Sequence, residues 1–293
     1  MSPLRTPARR AARAAAALLG ATALTVGAAT AASAAPVSEG WTETGSYNVN
    51  SLTGSQGIAS FDDGSLVYRG LASIPLSLRI KGWGHVGDPD TARGHVFDAY
   101  QGGDTATSKM FAVTTPGGRR YLYEHRLDAG ERLNNSFAAV SPDAQWLVSG
   151  EWGDQSRFQV FPAPLLNPST PSTGGSLPQA GQITLDHTVR DIQGCDFVSD
   201  TRLVCSSDDS ATDQWPTPKP LLQVDLPHPL NGQEVTGHVT SLGPLPQRSI
   251  CSGTFESEGV DYDARARKLR ALVVQPGVCV VATTVYEFRP ADG

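Results

Sequence analysis

Five times along the chain, an extended run, a polar turn and a second extended run recur with nearly constant spacing. The segments are QGIASFDDGSLVYRG from Gln56, VGDPDTARGHVFDAY from Val86, FAAVSPDAQWLVSGE from Phe137, QGCDFVSDTRLVCSS from Gln193 and EGVDYDARARKLRALVV from Glu258. A small residue holds the second position each time: Gly57, Gly87, Ala138, Gly194 and Gly259. Asp, Gly, Ser or Thr fills the turn, and an apolar residue restarts the pattern ten positions after the first, at Leu66, Val96, Leu147 and Leu203, or eleven at Leu269. This is a β-hairpin written five times, and repeats at such intervals constrain the fold more than any single motif.

The repeat starts are separated by 30, 51, 56 and 65 residues, mostly the length of one four-stranded blade. A lone blade leaves two apolar faces open, whereas a ring of blades buries them against neighbours. The small second residue suits a crowded axis on which the first strands converge. The expectation is an all-β chain forming a five-bladed β-propeller. SPDAQWLVSGEW resembles the S-P-D-G-x-x-[ILV] inner hairpin of TolB-like propellers, with Ala144 in place of glycine. ESEGVDYDA resembles the E-G-[LIV]-x-[YW]-D blade start of phytase-like and gluconolactonase-like propellers. The two matches are short and imply the fold rather than an activity. The short first interval leaves room for SLVYRG and LSLRIK as second and third strands, with an outer strand missing or supplied from elsewhere. WTETGSYNV (41–49) and TTVYEFRP (283–290) are the terminal strands expected to close the ring. The Pro/Ser/Gly-rich stretch 161–181 reads as a loop between the third and fourth blades.

Arg5, Arg9, Arg10 and Arg13 precede an alanine-rich apolar stretch that ends in Ala32-Ser33-Ala34, the pattern of an export signal over 1–34, leaving one domain over 35–293. Without 1–34, Lys plus Arg falls from 23 to 19 against 29 acids, and the net charge moves from −6 to −10. Such a surface argues against nucleic acid and, once the signal is gone, against a membrane; a secreted, extracellular monomer is expected. Four cysteines, all beyond residue 190, suit an oxidising compartment and two disulfides. Three pairings are open, and Cys195–Cys205 with Cys251–Cys279 is favoured because the first two flank one hairpin turn.

None of the G-x-S-x-G, G-x-x-x-x-G-K-[ST], H-E-x-x-H or G-x-G-x-x-G signatures is present, so no catalytic set transfers whole. What remains is the polar residues at the starts of the inner strands, where a propeller opens into a funnel: Ser55, Gln56, His85, Asp88, Asp90, Ser136, Asp191, Gln193, Ser257 and Glu258. His85 and Glu258 are the expected catalytic pair, and Asp88, Asp191 and Glu258 the expected metal ligands, hard oxygen donors that suit calcium. The function expected first is a cation-dependent hydrolase of an ester, lactone or phosphoester. A non-catalytic module binding carbohydrate, peptide or protein is the alternative, and a five-bladed glycosidase the third. The turn aspartates, the pair Asp208-Asp209 and the cluster Arg265, Arg267, Lys268 and Arg270 are read as structural or solvated. Trp152 and Trp215 are read as core or rim packing, with sugar stacking as the alternative.

Overall fold

The computed structural model describes residues 40–133 and 137–291; the expected signal over 1–34 and Ser136 lie outside them. In chain order, β1 (Trp41–Asn50) leads through a one-turn helix α1 (Ser51–Gly54) into the hairpin β2 (Gly57–Ser60) and β3 (Leu66–Arg69). A 3-10 turn (Leu71–Ser73) and α2 (Leu76–Arg79) follow. Next come β4 (His85–Val86), β5 (Asp90–Ala92), β6 (His95–Gln101), β7 (Ser108–Thr114) and β8 (Arg120–Arg126). The third group is β9 (Ala139–Val140), β10 (Trp146–Ser149), β11 (Asp154–Pro162), the short β12 (Gly175–Ser176) and β13 (Gly181–Arg190). The fourth is β14 (Ile192–Ser199), β15 (Arg202–Ser207), β16 (Pro220–Asp225) and β17 (Val235–Pro244). The last is β18 (Glu256–Asp263), β19 (Lys268–Val274), a 3-10 turn (Gly277–Val281) and β20 (Ala282–Pro290).

All five repeats form antiparallel hairpins, and local chemistry explains the turns. Arg93 and Gly94 both have positive φ, 50° and 72°, the requirement of a two-residue turn that matches strand twist. Asp143 Oδ1 accepts from Gln145 N at 3.0 Å and from Ser141 Oγ, and Asp263 Oδ1 accepts from Ala266 N at 2.8 Å, so these turn acids are structural as expected. Ala144, where the resembled motif has glycine, is buried at φ 60°.

The first strands touch in a closed cycle, β2 to β5 to β9 to β14 to β18 and back to β2. Five apolar clusters follow the same circuit. Ile58 meets Leu272 and Val285; Ile74 and Leu78 meet Tyr100 and Met110; Phe111 meets Phe161; Phe158 meets Leu222; Leu221 meets Leu269 and Phe288. Faces buried between consecutive sheets round a common axis make the chain a β-propeller. Its closure is as expected: β1 pairs antiparallel with β20, Trp41 opposite Pro290 and Asn50 opposite Ala282.

Five equal blades are not what the sheets show. Hydrogen bonding groups them as four, eight, six and two strands, the eight arising where β13 and β17 pair in parallel. The two-stranded sheet is β2–β3 alone. LSLRIK, expected as its third strand, is the helical turn α2: Leu78 and Ile74 are its buried anchors against the β6–β7 face, while Leu76 and Ile80 point outward. The 161–181 loop runs inside the third group, between β11 and β13, and lends β12 to the edge of β8. Both disulfides take the favoured pairing, with Cys195 and Cys205 directly opposite in the β14–β15 hairpin and Cys251 tied to Cys279. No helix among the described residues is long and apolar enough to cross a membrane.

Candidate functional site

The register of the first strands sorts the axis into three levels. Gln56, His85, Gln193 and Glu258 open the strands at one end; Gly57, Asp88, Gly194 and Gly259 follow; Ser60, Asp90, Asp196 and Asp261 lie beyond. The middle level is closed by Asp88, which is fully buried. Its Oδ1 accepts from Ile58 N and its Oδ2 from Val260 N, each at 2.9 Å, and its carbonyl accepts from Ala138 N. A Cβ added to Gly57, Gly194 or Gly259 would collide with this carboxyl, which gives these three glycines of the repeat their physical reason. Burial pushes the Asp88 carboxyl well above the usual carboxylate range, against the pull of the two amides, with Asp90 and Asp261 adding to the rise.

At the opening level lies a cavity of about 650 Å³. His85 and Glu258, the expected catalytic pair, share its wall with Gln56, Gln193 and Asp208. Glu258 is 6% exposed, and its Oε1 accepts a 3.3 Å hydrogen bond from the Gln56 amide. Burial raises its proton affinity well above the ordinary value; Asp208, Glu256 and Asp88 raise it further, and Lys219 opposes them. The His85 imidazole is shifted the other way, lowered by burial. A carboxyl with raised proton affinity and an imidazole with lowered proton affinity therefore face one space.

Of the expected metal set, only Glu258 lines this cavity. Asp88 is the axial plug below it, with both oxygens on amides. Asp191 is half-buried at the joint of β13 and β14 with φ 50°, its backbone bonded to Gly153 O and Asp208 N. Among the described residues, the one trio of His and acids whose donor atoms lie within 4.8 Å of one another is elsewhere: His125, Asp128 and Glu131. That trio does not fit a cation. Glu131 Oε1 sits 2.9 Å from Lys109 Nζ, and its Oε2 accepts from His125 Nε2 at 2.8 Å and Asp128 N at 2.9 Å.

Several wall residues were not legible as such. Asp208, read as solvated, accepts at Oδ1 from Lys219 Nζ and Ser257 N, at 2.5 and 2.7 Å. Lys219 itself is buried. Trp152, read as packing, is 54% exposed beside the cavity, and Gln101, Asp104 and Glu256 complete its rim. Arg270, read as solvated, is buried against Asp261, 2.6 Å away.

The far level has its own cavity of about 320 Å³, whose acids are straps rather than free ligands. Asp90 Oδ2 accepts from Val140 N, Asp196 Oδ2 from Tyr262 N and Asp261 Oδ1 from Ser60 N, each at 2.6 Å and each joining one first strand to the next.

No protein-family model matches the chain, and no curated protein sequence matches it. Among solved structures it is similar to the Malassezia sympodialis allergen Mala s 1 at 11% identity and a TM-score of 0.40, over 69% of this chain and 55% of that one. The chain thus spans little more than half the length of the allergen. It is also similar to Bacillus subtilis arabinanase Arb43A, at 10% identity and a TM-score of 0.43 over 85% and 92% of the two chains. A third similarity is to the β-propeller domain of the trilobed protease from Pyrococcus furiosus, at 11% and 0.30 over 66% and 55%.

Proposed function

We propose that the protein is an exported hydrolase of an uncharged ester or lactone, with Glu258 as general acid and His85 as general base in the 650 Å³ cavity. One observation carries this reading: the same cavity wall holds a carboxyl pushed up and an imidazole pushed down. In hydrolysis His85 takes a proton from the attacking water, and Glu258 protonates the carbonyl oxygen or the leaving alkoxide. Gln56, Gln101 and Gln193 supply amides to orient hydroxyl groups, and Trp152 supplies a flat apolar face, so a sugar lactone suits the cavity. A phosphoester suits it poorly: Asp104, Asp208, Glu256 and Glu258 line the space, and no Lys or Arg does among the described residues. The two disulfides fit an oxidising compartment.

Expected activity against pH is bell-shaped. It rises as His85 loses its proton, below the ordinary imidazole value of about 6.5, and falls as Glu258 loses its own, above the ordinary carboxyl value of about 4.3. Steady-state hydrolysis of aldonolactones and aryl esters, with aryl glycosides as a control, checks this. Glu258→Gln should abolish the alkaline limb and His85→Gln the acid limb, each costing roughly 10²–10⁴ in rate. Turnover unaltered by both changes, or confined to the glycosides, would remove the reading.

A calcium-binding funnel is the second reading, favoured by the four carboxyl side chains in one wall. Glu256 and Glu258 would be its ligands, since Asp208 is engaged by Lys219 and Ser257. A bound ion would polarise a substrate carbonyl. A melting temperature that calcium and chelator leave unchanged excludes it.

A further inference from the structure

Antiparallel succession places the connections out of β1, β3, β6, β8, β10, β13, β15, β17 and β19 at the end of the ring where the first strands begin. Among the described residues, nearly all the exposed large apolar side chains lie on four of them, those out of β1, β3, β17 and β19. Leu52 on α1 is 66% exposed; Leu71, Leu76 and Ile80 between β3 and β4 are 50, 71 and 77% exposed. Val278 and Val281, in the 3-10 turn before β20, are 88 and 72% exposed. These segments adjoin one another: α1 touches both 3-10 turns, and the Cys251–Cys279 disulfide ties the 245–255 loop, with exposed Ile250, to the second.

Charge separates these segments from the cavity mouth at the same end of the ring, which Asp104, Asp208 and Glu256 line. Segments 49–61, 64–87, 244–255 and 275–286 contain no Asp or Glu in a chain that has 29. Arg79 and Lys81 flank Ile80, and Trp83 follows two residues later. Basic side chains beside outward aliphatics are what an interface between water and anionic lipid accommodates: aliphatic groups enter the acyl boundary and cations meet headgroups. A polar partner would leave these aliphatics wet, and an acidic protein surface would gain nothing from Ile80, Val278 and Val281.

We propose that this acid-free apolar arc of the rim docks the protein peripherally on an anionic lipid surface, against what the net charge of the whole chain and the acids of the cavity mouth suggest. Contact is made by side chains only, with no segment crossing the bilayer. The test is cosedimentation of the full protein with phosphatidylglycerol vesicles and with phosphatidylcholine vesicles, at low and high salt. Retention on phosphatidylglycerol, weakened by salt and by Lys81→Gln, is expected. Ile80→Ser and Val278→Ser should each lower the partition coefficient roughly tenfold while leaving the melting temperature unchanged. No retention on either vesicle, or retention that neither serine variant reduces, overturns the proposal. So does sedimentation velocity that finds no vesicle binding but a dimer dissolved by Ile80→Ser, which would make the rim a contact between copies.

Discussion

The two carboxyl oxygens of Asp88 serve amides of two different strands, Ile58 and Val260, at the point where three glycines leave room for it. Asp88→Ala leaves both buried amides without an acceptor, so unfolding free energy should fall by about 2–6 kcal/mol, read by denaturant titration. Gly259→Ala drives a methyl into the same carboxyl and should cost about 1–3 kcal/mol or prevent folding. The five small residues were readable because their spacing repeats. The plug was not, because an aspartate before Pro89 looks alike whether its oxygens meet amides, a turn or an ion. Asp208 and Arg270 were missed for another reason: their partners are near in sequence, Lys219 in the same β15–β16 connection and Asp261 directly opposite in the β18–β19 hairpin, but charged residues in a turn-rich stretch look alike whether paired or solvated. That His85 and Glu258 reach one cavity was readable because each stands near the start of a repeat, which a propeller brings to one mouth.

Among the elements, the shortened first hairpin shows how a repeat can lose strands without opening a hole. Leu78 and Ile74, buried against Tyr100 and Met110, let a helical turn cover the face that two more strands would have covered. Leu78→Ala should therefore cost about 2–5 kcal/mol by thermal or chemical denaturation, while Leu76→Ala, on the exposed side of the same turn, should change little. This substitution of helix for strand was not visible in LSLRIK, whose alternation of apolar and polar residues is that of a strand. The terminal strands were visible, since Trp41–Asn50 and Ala282–Pro290 each alternate and neither has another place in the repeat.

For the molecule as a whole, stability should depend on pH in an unusual direction. Burial raises Asp90 to about 7, and it also raises Asp88, Asp196, Asp261 and Glu258. Their unfolded counterparts lose protons near pH 4, so the folded state binds more protons, and stability declines as pH rises from about 4 through 7. Glu131 acts oppositely. Burial would raise it, but the bond from His125, the charge of Lys109 and the Asp128 amide hold it at about 2. Its contribution is present above its ordinary value and is lost as pH falls towards 2. Melting temperature should thus peak near about pH 4 and be lower at both pH 2 and pH 8; a steady rise to pH 8 would contradict the burial of these acids.

The pairing of β1 with β20 also has a consequence in time. Trp41 and Pro290 face each other across the last ladder, so the first described strand finds its partner only after nearly the whole chain has been delivered. Until then, the faces of β18 and β19 that Trp41 covers, with its indole 5.9 Å from the Tyr262 ring, are still open. Closure over so long a sequence separation is slow, and a chain emerging from synthesis or export remains an unsealed ring for most of its passage. Trp41 reports the moment of sealing: its burial should be the last change seen as the protein folds.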